Sequence, residues 1–269
     1  MSFALANSRR GYFLPILGGL VALAWLALAV WADSPYGRYL QHGGWTNSVF
    51  LEICRALPAG ELILPAALYV LGWLLMIAAM MLPTTFPLLD TFQRLVKDRA
   101  DRGALLVRVI AGYFAAWALF GILAHAADAI VHGAARRSAW LTVNGWVFGA
   151  AALAVAGVFQ FSPLKYRCLD KCRTPLSFVQ QHWRGRNERR NAWLLGLHHG
   201  AFCVGCCWAL MLLMFAVGTG SVGWMLAMGV VMAVEKNLPW GRWLSAPLGA
   251  ALLAAAVVIL VQHAGRIFG

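Results

Sequence analysis

Residues 192–217 read AWLLGLHHGAFCVGCCWALMLLMFAV. The run contains no Asp, Glu, Lys or Arg, and it exceeds the roughly 20 apolar residues that cross a bilayer core. A helix can carry such a run through hydrocarbon because it satisfies its backbone groups internally. Inside the run sit His198, His199, Cys203, Cys206 and Cys207. Polar, soft-ligand side chains are costly at that depth, so they point to a function before they point to packing.

Comparable apolar runs recur on both sides. They predict an all-α polytopic transmembrane helix bundle of about seven spans, at residues 12–31, 62–82, 104–124, 140–161, 192–217, 222–234 and 247–262. Composition agrees: 61% of the 269 residues are hydrophobic and 12% charged, against about 25% charged in a soluble domain. The alternation of a membrane β-barrel is absent. The first run is too long for a signal-peptide core and is read as a retained span. The sixth is short and closed by Glu235-Lys236-Asn237-Leu238-Pro239, so it tilts, thins the bilayer or re-enters. The whole chain, 1–269, reads as one transmembrane helical domain.

Lys and Arg gather in alternate connections, most densely in 162–191. This bias places the N-terminus in the cytoplasm and makes 162–191 a basic cytoplasmic loop; the chain reads as a multi-pass protein of a cytoplasmic (inner) membrane. The net charge of +12 is then explained by anionic lipid, with no nucleic acid required. Residues 44–57 of the outer connection have the pattern of a short surface helix.

Helical spacing puts His199, Cys203 and Cys206 on one face, with Cys207 beside them and His198 pointing elsewhere. Thiolate and imidazole together suit Cu(I), with Zn(II) as the alternative. The plain alternative for buried cysteines is packing. A second pair, Cys168 and Cys172, lies in the basic loop at C-x3-C spacing; on a helix the two would share a face and receive or pass on a soft ion. Met80 on span two and Met232 on span six fall at a similar depth and add candidate thioether ligands, although methionine stripes also serve simply to fill gaps. Glu235 is either half of an interfacial pair with Lys236 or a proton relay for thiols that lose protons to metal. His125, Asp128 and His132 follow i, i+3, i+7 spacing at the outer end of span three and form a second candidate site, or merely a hydrated face. Covalent haem is not expected, because no C-x-x-C-H stretch occurs.

Several blocks together resemble an uncharacterised bacterial family of predicted metal-binding integral membrane proteins. They are Met80-Met81-Leu82-Pro83 with Pro87, Pro163-Leu164-Lys165 followed by Cys168 and Cys172-Arg173, Gly196-Leu197-His198-His199-Gly200 through Cys203 to Cys206-Cys207-Trp208, and Glu235-Lys236. The resemblance covers the chain from span two onward and implies metal binding without a reaction.

The leading expectation is Cu(I) binding for transfer, transport or delivery. Its partners would be the lipid bilayer and a cytosolic metal donor or copper-dependent membrane protein. A thiol–quinone oxidoreductase or metal-centred redox subunit is the second reading. A structural or assembly subunit of an oligomer or larger membrane complex is the third.

Overall fold

The computed structural model describes residues 13–32, 63–183, 187–217 and 222–263. Their regular elements are all helical: α1 (Phe13–Ala32), α2 (Ile63–Met80), a 3-10 turn (Leu82–Thr85), α3 (Phe86–Leu95), α4 (Arg102–Arg137), α5 (Ala139–Val143), α6 (Trp146–Phe159), α7 (Pro163–Arg173), α8 (Pro175–His182), α9 (Glu188–Val217), α10 (Val222–Asn237), a second 3-10 turn (Gly241–Leu244) and α11 (Ser245–His263). Each of the seven apolar runs carries a helix. Among the described residues three stretches, Arg102–Ala127, Glu188–Met214 and Gly241–His263, are long and apolar enough to cross a membrane alone. Two bent pairs raise that number to five. The surface-helix reading of 44–57 lies outside the described residues.

Three boundaries differ from the hydropathy reading. First, α4 continues thirteen residues past Ala124, to Arg137, because Ala-rich sequence sustains a helix after hydropathy falls. At about 1.5 Å per residue it is roughly 54 Å long. Second, the fourth run is broken at Asn144, whose Nδ2 donates to the Trp140 carbonyl at 3.0 Å while its Oδ1 accepts from Trp146 Nε1 at 3.0 Å. Third, the described part of 162–191 is mostly helical: α7, α8 and the start of α9 fall within it. Ser162 caps the start of α7, accepting from the Leu164 N–H at 3.1 Å, and Pro163 and Pro175 open α7 and α8. Proline is well placed there, since the first-turn N–H has no helical partner.

α9 is the central helix and packs on α4, α6, α7, α8 and α10. Its closest neighbour is α4, and glycine makes the approach possible. A Cβ on Gly196 would stand 1.9 Å from the Val109 carbonyl oxygen, and one on Gly112 would stand 2.1 Å from that of Trp193. Gly200, one turn along, meets Ala116 Cβ and the Tyr113 carbonyl in the same way. Small residues four apart are the usual means by which two helix backbones touch in an apolar medium. Gly196→Leu should therefore separate α4 from α9 and destabilise the protein by about 1–3 kcal/mol or more. A melting temperature equal to that of the unaltered protein would contradict the packing.

The bend after α2 has an identifiable cause. Pro83 has no N–H to offer the Ala79 carbonyl four residues back. The indole of Trp25 on α1 supplies the missing donor, Nε1 lying 3.1 Å from that oxygen. Thr84 and Thr85 bond back to the Met81 and Leu82 carbonyls at 2.7 Å each. The two arms, Val70–Met80 and Leu82–Leu95, meet at 52°. This turns Met81 inward at the level of the thiols.

The outer surface carries large apolar side chains on several helices, among them Leu23 and Leu26 on α1, Leu119 and Ile122 on α4, and Val257 and Val261 on α11. One buried cluster contains Met76, Met80 and Met81 with Met225, Met228, Met232 and all of Cys168, Cys172, Cys203, Cys206 and Cys207.

Candidate metal centre

Cys203 has the most unusual surroundings. Its Sγ lies 2.8 Å from the ammonium of Lys236 on α10 and 3.2 Å from the hydroxyl of Tyr113 on α4. The same ammonium lies 3.5 Å from Thr84 Oγ1 and 3.8 Å from Met81 Sδ. Tyr113 also reaches the Met81 carbonyl, at 3.3 Å. Lys236, Tyr113 and Met81 are all buried. A buried cation against a sulfur is retained only where partners surround it, and here α4, α9, α10 and the proline bend bring them together.

The other thiols follow the helix turn. Cys206 donates to the Cys203 carbonyl at 3.1 Å and Cys207 to the same oxygen at 2.8 Å; their sulfurs are 3.5 Å apart. Cys172 on α7 lies beside the Cys206 thiol, in the same buried cluster. Cys168 packs on Gly205, where a Cβ would stand 2.7 Å from its sulfur. The C-x3-C pair therefore sits inside the protein against α9, Cys168 on Gly205 and Cys172 on the Cys206 side. All five cysteines are free.

His199 is buried between two rings, its centroid 6.0 Å from Tyr113 and 5.4 Å from Phe178. Its Nδ1 has no hydrogen-bond partner among the described residues. An orphaned imidazole nitrogen one turn before Cys203 is a donor atom held available. Met80 packs beside Gly229, its Cγ 3.6 Å from where a Cβ there would lie, and Met232 is buried in the same cluster. The set of donors is soft and contiguous, which suits copper chemistry. Among the described residues no three His, Cys, Asp or Glu side chains form a ready-made metal cage. The physical reason is visible: the Cys203 carbonyl holds two thiols and the Lys236 ammonium covers a third.

Glu235 does not pair with its neighbour Lys236. It accepts from Lys165 Nζ on α7 and from Ser245 Oγ on α11, each at 2.7 Å. Lys165, fully buried, also donates to Gln160 at the end of α6. Successive helix residues point about 100° apart, so Glu235 faces α7 and α11 while Lys236 faces α9. Arg173 anchors the same corner through the Glu235 and Pro239 carbonyls. Arg99 joins Asp101 at 2.9 Å and Glu188 at 2.7 Å, tying the start of α9 to the α3–α4 turn. The guanidinium beside it holds the Asp101 carboxyl below its usual range.

His125 lies half-buried on α4. The side chains of Asp128 and His132, the other members of that trio, lie outside the described residues, as does Cys54. Sequence reasoning missed Lys236, Tyr113 and Met81 as neighbours of the thiols. Lys236 carried a readable signal, a lysine closing an apolar run, but was assigned to the interface with Glu235.

No curated protein and no solved structure matches the chain. The family PpoB2, described as copper chaperone, matches residues 70–259. That range holds the proline bend, both cysteine pairs, His199 and Glu235-Lys236, the blocks on which the resemblance rests, and it specifies copper where the resemblance specified only a metal. The chain belongs to the PpoB2 copper chaperone family.

Proposed function

We propose that this protein is a membrane-embedded copper chaperone that holds Cu(I) among the thiols of α7 and α9 and passes it to a copper-dependent partner. The observation that carries the reading is the buried, disulfide-free cluster of Cys203, Cys206, Cys207, Cys172 and Cys168, with the unbonded His199 nitrogen and the Met81 sulfur at its edge. Thiolate and thioether sulfur favour Cu(I) over harder ions. A chaperone must also release its cargo. Thiols that have a carbonyl to return to, and a lysine beside Cys203, give the emptied site partners of its own.

The membrane setting rests on the three to five apolar stretches and on the apolar side chains that face outward from them. Large exposed apolar area is tolerated where lipid covers it. The basic residues of α7 and of the segment before α9 favour a cytoplasmic position for that end of the bundle, where a cytosolic donor would meet it. Glu235 acts as the structural partner of Lys165 in this reading.

Protein purified anaerobically in lipid nanodiscs should retain about one copper per chain, with sulfur as the main neighbour by X-ray absorption. Metal-free protein that still matures a copper-dependent partner would refute the reading. Reversible thiol oxidation linked to quinone, without copper, would instead support the redox alternative.

A further inference from the structure

His182 and His198 belong to none of the contacts described so far. His182 is the last residue of α8, and His198 lies on α9, on a different face from the thiols. Their ring centroids are 5.1 Å apart at an interplanar angle of 57°. His198 is exposed and His182 half-buried, so the pair opens outward.

His182 is oriented by its own helix. Its Nδ1 is 2.9 Å from the Phe178 carbonyl, and its ring stacks on the Phe178 ring at 4.3 Å and 23°. A carbonyl only accepts, so Nδ1 carries the hydrogen of that bond. In the neutral ring the lone pair is then on Nε2. This is the arrangement in which metal-binding histidines are usually held, one nitrogen fixed on a backbone oxygen and the other free to ligate. Two imidazoles sharing one ion through metal–nitrogen bonds of about 2.0–2.1 Å have ring centres about 5 Å apart, and these two are 5.1 Å apart.

Phe178 connects this pair to the interior. One face of its ring stacks on His182, and His199 approaches it at 5.4 Å and 72°. One aromatic side chain therefore separates the outward imidazoles from the imidazole beside the thiols. We propose that His182 and His198 form a two-imidazole docking site for a copper ion, which receives it from outside the bundle before it reaches His199 and the thiols. The order of transfer rests on the copper reading above; the existence of the site does not.

Two measurements on the full chain in nanodiscs test it. In the first, Cys203, Cys206 and Cys207 are replaced by Ser, Cu(II) is the probe, and electron paramagnetic resonance reads the coordination. A bound ion with two imidazole nitrogens is expected, and His198→Ala should weaken it at least about tenfold. A spectrum without imidazole nitrogen, or an affinity unchanged in His198→Ala, would overturn the site. The second leaves the cysteines intact and follows the rate of Cu(I) loading from a soluble donor complex. His198→Ala should reach the same final copper content, about tenfold more slowly. Equal rates would overturn the docking role. If the unaltered protein takes no copper on its thiols while the first measurement still shows two imidazole nitrogens, the thiol reading fails and the histidine site stands.

Discussion

Cys203→Ser should lower copper affinity more than any other single cysteine replacement in this chain, by well over the roughly tenfold to hundredfold that loss of an indirect support costs a metal site. Cys203 is where the cluster is tied to other helices: α10 through Lys236, α4 through Tyr113, and the proline bend through the Met81 and Thr84 side chains that share the ammonium. A serine oxygen there can keep the Lys236 and Tyr113 contacts, so the fold should survive while the soft donor is gone. Cys206→Ser should follow closely, since its sulfur lies 3.5 Å from that of Cys207 and beside Cys172 on α7. Cys54→Ser serves as the comparison, because its sequence neighbourhood holds no second ligand. Copper content measured by elemental analysis after dialysis against a Cu(I) chelator decides the matter. Equal loss in all three variants would remove the site assignment.

Glu235→Ala should destabilise the protein by roughly 3–5 kcal/mol. Removing the carboxylate leaves Lys165 charged, fully buried and facing only Gln160. It also takes the acceptor from Ser245. The double variant Lys165→Met with Glu235→Leu should recover most of the loss, since a buried ion pair exchanged whole for apolar groups of similar size is often neutral. Thermal unfolding of the three proteins in one detergent reads both effects. A double variant as unstable as the single one would show that Lys165 and Glu235 do not act as a pair.

Residue chemistry made much of the candidate site legible. Two histidines and three cysteines in a charge-free run mark α9 without any structure, and the i, i+4 relation of His199 and Cys203 places them on one side. The all-helical class followed from the length of the apolar runs. What sequence did not show was contact between distant positions. Trp25 completes the bond that Pro83 cannot make, but 54 positions separate it from Ala79, and nothing in either local pattern names the other. Lys236 and Glu235 are neighbours, so pairing them was natural; the helix turns them to opposite partners, a consequence of packing on α7, α9 and α11 together. Residues 162–191 read as a basic loop from their charge and position between spans, with a helix through Cys168 and Cys172 left open. Ser162-Pro163 and Thr174-Pro175 were helix-start signals in plain view, and giving them weight over net charge would have found α7 and α8 and brought Cys168 and Cys172 indoors.

The glycine contacts between α4 and α9 also bear on motion. Two backbones in direct contact leave no compliant layer of side chains between them, so neither helix can slide or roll without losing many close contacts at once. The thiol-bearing helix is in effect the stator of the bundle. By comparison α10 meets that rigid pair chiefly through a lysine side chain and α7 through its cysteines.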